Sequence, residues 1–343
     1  MLNAVFIMTK SKTSLSKLVI WILAIVFLWL IVTHFTQTTS ILTALADGRW
    51  YWISLAVICQ IFFYPFYAFF LQSIFSLFNV GLGFRNLLSV YIASKFTDVA
   101  LPISTVGKVA IFVRQGKRSH IPPLNIGIGI GFVVIFELTA FLVVSWLTII
   151  TLLLQHQPHD FLQVTLLIFS LILAVVLFYT IRLVVMEKTP GVVFLWIMKT
   201  LARISGQRGL NLKEIETVFI EAGNDLKSNS RKILPGFCIA LGTHLINLVT
   251  FALIYLAFTG HFNLFAILAG YVAGLLFTIV SITPQGVGVA ETVMVATLHS
   301  FGLPVPQAAV ITLAYRGLLY WLPFFLGFYF FSRLELKSNT NKN

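Results

Sequence analysis

The chain is 343 residues long, 59% hydrophobic and only 10% charged, with 33 phenylalanines, where an ordinary soluble domain is roughly 25% charged. So little polar surface cannot shield so much apolar side chain from water, which excludes a soluble globule, a disordered chain and a nucleic-acid binder and makes lipid the solvent. The net charge of +12 therefore raises the question of where the basic residues lie along the chain.

A helix needs about 20 apolar residues to cross a hydrocarbon core of about 30 Å. The first run, 18–35, follows Lys10, Lys12 and Lys17, and Ala44-Leu45-Ala46 resembles a cleavage site. The run is longer than a signal peptide carries and the site lies too far downstream, so a membrane span is expected. Further spans are expected at 51–78, 121–154, 161–185, 234–258 and 305–331. Two other apolar stretches are interrupted: 86–113 at Leu101-Pro102-Ile103-Ser104-Thr105-Val106-Gly107-Lys108, and 264–301 at Thr283-Pro284-Gln285-Gly286-Val287-Gly288. Proline removes an N–H and glycine releases the chain from helical φ/ψ, so each stretch should break into two half-helices. Broken backbone at membrane depth is tolerated where protein or a water-filled cavity satisfies it.

Of the 23 basic residues, all but Arg49, Lys95, Lys108 and Arg316 fall on one side if the N-terminus is inside and both broken stretches are re-entrant. The expected fold is an all-α polytopic membrane protein: six full transmembrane helices plus two re-entrant broken helices, with both termini inside. Pro102 is followed by Pro122 and Pro123, and Pro284 by Pro304 and Pro306, at nearly equal distances. This similarity predicts an inverted-topology repeat, residues 51–154 (re-entrant 86–113) and 234–331 (re-entrant 264–301), within one integral membrane domain spanning 1–343. Residues 186–232 form the largest polar segment and are expected to be a cytoplasmic amphipathic linker. Its apolar stretch 192–204 suits the interface, and Leu212, Ile215, Val218, Phe219, Ala222 and Leu226 mark one helical face.

Six ionisable residues remain inside the apolar segments, and each is costly there. Lys95 and Asp98 are three apart, which suits a structural pair. Lys108 opens the half-helix after the first break, where the helix N-terminus already favours an anion; it is either a phosphate site or a snorkelling side chain. Glu291 holds the matching place after the second break, where the dipole also favours an acid. Glu137 and Arg316 lie on the repeat-equivalent helices with opposite charge, so both should face a polar cavity, where pairing is open to them. Cys59 and Cys238 lie in apolar runs and offer no disulfide or metal site. No nucleophile elbow, phosphate loop or zinc spacing is present, so no cofactor and no enzyme activity are expected.

Around the second break, Pro284-Gln285-Gly286-Val287-Gly288-Val289-Ala290-Glu291, then Phe301-Gly302-Leu303-Pro304, Tyr315-Arg316 and Trp321-Leu322-Pro323, the sequence resembles the lysylphosphatidylglycerol synthase transmembrane, or flippase-like, family. Leu101-Pro102, Gly107-Lys108 and the basic stretch 114–118 resemble its N-terminal motif. Val106 and Ile111 stand where the family usually has glycine and arginine. The resemblance implies a multi-pass domain of a prokaryotic cytoplasmic membrane that handles lipid, expected to stand alone without a soluble synthase domain. The expected function is flipping of an anionic phospholipid or lipid-linked headgroup; the alternative is a lipid-binding accessory subunit beside a lipid synthase or glycosyltransferase. Pro102, Gly107, Lys108, Glu137, Pro284, Gly286, Gly288, Glu291 and Arg316 are the expected substrate-binding residues. Lys108 and Arg316 would hold phosphate, and Glu137 and Glu291 would position a cationic part or exchange a proton.

Overall fold

The computed structural model describes residues 48–78, 80–100, 111–113, 115–116, 121–154, 160–186, 212–281, 283–321, 323 and 327. These residues are helical with short connections, and no strand occurs among them. In chain order the helices are α1 Trp50–Leu77, α2 Phe84–Ala100, α3 Pro123–Leu154, α4 Asp160–Met186, α5 Leu212–Ser228, α6 Ser230–Thr259, α7 Leu264–Val280, α8 Val289–Ser300 and α9 Val305–Arg316. Four of them are long and apolar enough to cross a membrane, over Trp50–Leu77, Leu124–Leu154, Val164–Arg182 and Arg231–Thr259. They coincide with the second to fifth expected spans. The first expected span and the interfacial stretch 192–204 lie outside the described residues.

The outer surface is apolar. Ile58, Ile61, Phe62 and Phe69 on α1 and Ile168, Ile172, Val175 and Phe178 on α4 are exposed, a surface that water would not tolerate and lipid would. Inside, two clusters of buried side chains divide the molecule. One joins Phe70, Ile74 and Phe75 of α1 to Leu87 and Tyr91 of α2, Ile126 and Val133 of α3, and Ala222 and Leu226 of α5. The other joins Phe251 and Tyr255 of α6 to Ile267 and Val272 of α7, Met294 and Leu298 of α8, and Ile311 and Tyr315 of α9. Ala222 and Leu226 belong to the apolar face expected of the linker helix, and through them α5 docks on the first cluster.

α1 and α6 run antiparallel. The Arg49 N–H donates to the Ala257 carbonyl (2.9 Å), Gly242 faces Phe66, and Gly236 faces Ile74. α7 and α8 form a helical hairpin, with Gly274 against Met294 and Gly270 between Phe251 and Leu298. A Cβ at Gly270 would come within 3.0 Å of Phe251. With no hydrophobic effect between helices in lipid, small residues four apart let backbones approach and van der Waals contact hold them. At 1.5 Å per residue, α7 with 17 residues and α8 with 12 extend about 26 and 18 Å, each shorter than a hydrocarbon core of about 30 Å.

The second interruption lies where sequence placed it. α7 ends at Val280, a 3-10 turn covers Pro284–Gly286, and α8 begins at Val289. In the last expected span α9 passes at Arg316 into a π-turn over Gly317–Trp321, and most of the residues beyond it lie outside the described ones. Such turns within helices frequently mark functional positions. Of the first interruption, residues 101–110 lie outside the described residues, and with them Pro102, Gly107 and Lys108.

Candidate functional site

The hairpin turn is built by backbone that ordinary residues avoid. Gln285 has φ +54, Gly286 φ +66 and Gly288 φ +87. At Gly286 a side chain is also excluded by space, because a Cβ would lie 2.8 Å from the Thr278 Cα. Left-handed backbone at a residue such as Gln285 costs of order 1–3 kcal/mol and persists where the surroundings hold it. Here they do, since the strained turn aims the Gln285 carbonyl at Arg316 Nη2, 2.7 Å away.

Arg316, at the end of α9, is only 2% exposed. Its Nε donates to Glu291 Oε1 (2.7 Å) and its Nη1 to Thr278 Oγ1 (3.1 Å). The guanidinium carbon lies over the Tyr320 ring on the π-turn, 4.1 Å from its centre. Glu291 uses its second oxygen as well, with Oε2 accepting from the Gly288 N–H at 2.7 Å. An acid at the third position of a helix reaching back to the capping N–H is half of a capping box, and it also meets the positive end of the dipole. The pairing left open between Arg316 and Glu137 is therefore not what forms. Glu291 takes the guanidinium, because the hairpin turn brings α8 against the end of α9.

Arg316 lines a cavity of about 270 Å³ that also receives Lys95, Glu137, His244 and Gln285. The cavity lies between the two clusters, with Tyr64, Tyr67 and Tyr91 on one side and Tyr271, Tyr315 and Tyr320 on the other. Lys95 reaches this cavity from α2. Its Nζ stands 5.0 Å from the Tyr91 ring centre, and Tyr91 stacks on Tyr67 at 4.0 Å. The side chain of Asp98, its expected partner, lies outside the described residues.

His244 ties three helices together. Its Nε2 lies 3.1 Å from the Glu137 backbone carbonyl and its Nδ1 lies 2.9 Å from the Tyr271 hydroxyl. A carbonyl only accepts, so Nε2 carries a proton, and in the neutral ring Nδ1 accepts from Tyr271. The Glu137 carboxylate itself has no hydrogen-bond or ion-pair partner among the described residues. Nor do two amide oxygens on the cavity wall, Gln60 Oε1 and Asn247 Oδ1, which are buried.

Of the expected site residues, the structure brings Pro284, Gly286, Gly288, Glu291 and Arg316 into one hairpin knot and places Glu137 across the cavity from it. Sequence reasoning left Lys95, His244, Gln60 and Asn247 off the site. The signal available was a polar residue within an otherwise apolar span. Among the described residues no three His, Cys, Asp or Glu side chains gather as a metal site.

A stretch of 97 residues is 29% identical to the UPF0104 membrane protein MJ1595 of Methanocaldococcus jannaschii, and it spans 28% of this chain and 29% of that relative. The family model for the lysylphosphatidylglycerol synthase TM region matches residues 15–327. That match covers nearly the whole chain, and this multi-pass membrane protein belongs to that family.

Proposed function

We propose that this protein moves a phospholipid between membrane leaflets, the headgroup passing through the cavity while the acyl chains stay in lipid. The observation that carries this reading is a partly open cavity, largely apolar in its lining, into which Lys95, Glu137 and Arg316 project, within helices whose outer faces are apolar. A charge in the hydrocarbon layer costs roughly 2.5–3.5 kcal/mol even on lenient scales, and such residues mark substrate paths.

The topology that fits is six spans and two re-entrant hairpins in inverted repeat, with both termini inside the cytoplasmic membrane of a prokaryote. The α7–α8 hairpin supports it, since neither helix is long enough to cross alone. So does the antiparallel packing of α1 on α6, the opening helices of the two units, as copies related by an axis in the membrane plane would pack. Pro284, Gly286 and Gly288 shape the hairpin tip, and Glu291 with Arg316 braces it. Two of the five N–H groups of Arg316 remain for a phosphate, with Lys95 on the opposite wall. The protein performs no covalent chemistry in this reading. A volume of about 270 Å³ lies just below the usual 300–1,000 Å³ of ligand pockets, which suits a phospholipid headgroup better than an oligosaccharide on a polyprenyl carrier.

The family description favours a second reading. It names the membrane region of a synthase, and such a region could present lipid to a partner enzyme without moving it. The test is reconstitution of the purified chain in liposomes carrying an acyl-chain-fluorescent phospholipid, followed by bleaching of the outer leaflet. Bleaching beyond the outer-leaflet share supports movement. A level equal to protein-free vesicles, with an enzyme co-purifying from native membranes, favours the second reading.

A further inference from the structure

We infer that the headgroup admitted to this cavity carries a primary ammonium beside its phosphate, as an ethanolamine phospholipid does, and that Glu137 holds the ammonium. The inference rests on the lipid-moving reading above and narrows its substrate.

It follows from which acceptors are already used. Of the two acids expected to position a cation, Glu291 is consumed, one oxygen by Arg316 and the other by the Gly288 N–H. Glu137 is not: among the described residues nothing hydrogen-bonds or ion-pairs with its carboxylate. Nearby His244 has both ring nitrogens engaged, one with the Tyr271 hydroxyl. Two more acceptors line the same cavity without a donor, Gln60 Oε1 and Asn247 Oδ1, and Gln60 is 3% exposed. A buried acceptor left unmet is destabilising, so this wall calls for a ligand that brings donors and one positive charge.

A primary ammonium supplies both, with three N–H groups for a carboxylate and two amide oxygens. A choline group has the charge and no N–H. A glycerol headgroup has hydroxyl donors and no charge to offset Glu137, and a serine headgroup adds a carboxylate that Glu137 repels. The phosphate then faces Lys95, whose ammonium stands over the Tyr91 ring.

The test compares acyl-labelled ethanolamine, glycerol and choline phospholipids in the reconstituted full chain, with binding of the same lipids followed by native mass spectrometry. The ethanolamine lipid should bind and move about tenfold better than either alternative, the worth of one charge-assisted hydrogen bond. Glu137→Gln should abolish the preference, and Asn247→Leu should reduce it. Equal handling of the three lipids by the unaltered chain, or a preference unchanged in Glu137→Gln, overturns the inference and leaves lipid movement standing. Ethanolamine-selective binding with no movement of any lipid overturns the transport reading and keeps the site. If Glu137→Gln does not fold, Asn247→Leu decides, and an undiminished preference there overturns the inference.

Discussion

On the wall built from α7, α8 and α9, Arg316 gives three of its five N–H groups to Glu291, Thr278 and Gln285 and sets its guanidinium carbon over the Tyr320 ring. On the wall built from α1, α3 and α6, Glu137, Gln60 and Asn247 present oxygens that no described donor meets. Both walls hold polar groups where burial is costly, yet the charges of Arg316 and Glu291 are answered within the first, and the carboxylate and amide oxygens of the second are left to the cavity. Polar groups that answer one another hold a fold; polar groups that do not are poised for a ligand. Arg316 looks from sequence like the phosphate hook, and three of its five donors also brace the hairpin.

Substitutions should sort by wall. The largest loss of stability is expected for Arg316→Met, which leaves Glu291 charged, buried and without its partner; breaking such a pair costs about 3–5 kcal/mol. Thermal unfolding in detergent would register this, and adding Glu291→Gln should restore part of it. An Arg316→Met protein as stable as the parent would break the account of a closed wall.

Next comes Gly286→Ala, which must hold φ +66 with its Cβ 2.8 Å from the Thr278 Cα. A cost of roughly 3 kcal/mol is expected at such a position, with faster proteolysis at the hairpin turn. His244→Leu should be milder, about 2 kcal/mol, because it strands the Tyr271 hydroxyl and the Glu137 carbonyl. Replacement by Gln, which can still donate to that carbonyl, should lose less.

The smallest effect on folding is expected for Glu137→Gln. Removing a charge without a described partner should shift stability by less than about 1 kcal/mol in either direction, while lipid handling changes. If Glu137→Gln destabilised as much as Arg316→Met, the two walls would not differ in kind, and Glu137 would be a structural acid.

Several parts of this arrangement were legible in the residues. Run length located the spans now seen as α1, α3, α4 and α6, because crossing a hydrocarbon layer is a matter of how many consecutive apolar residues there are. Pro284, Gly286 and Gly288 announced the break, because φ restriction and release act on their own residues. The face of α5 could be read from its spacing, and Ala222 and Leu226 are buried as that face predicts. The partner of Arg316 could not be read this way. Sequence suggested only Glu137 as a possible partner, and the pairing with Glu291 depends on how the hairpin turn swings α8 against α9.

Lys95 and His244 show the same limit from the other direction. The three-residue spacing suits a Lys95–Asp98 pair, and what spacing does not show is that the Lys95 ammonium stands over Tyr91 at the cavity. His244 was visible as a histidine within a span. That it joins the Glu137 carbonyl to Tyr271 depends on α3 and α7 meeting α6 at one level. Gln60 and Asn247 drew no notice at all, since an uncharged amide in an apolar run is inexpensive enough to pass for packing.

By itself the sequence determined the solvent, four of the spans and the place of the second break, all properties of composition or of a few neighbouring residues. The tertiary structure decided which buried charges neutralise one another and which stay open to the cavity. Those pairings join residues far apart in the chain, and their energies depend on distances of a few ångströms that exist only once the helices have packed.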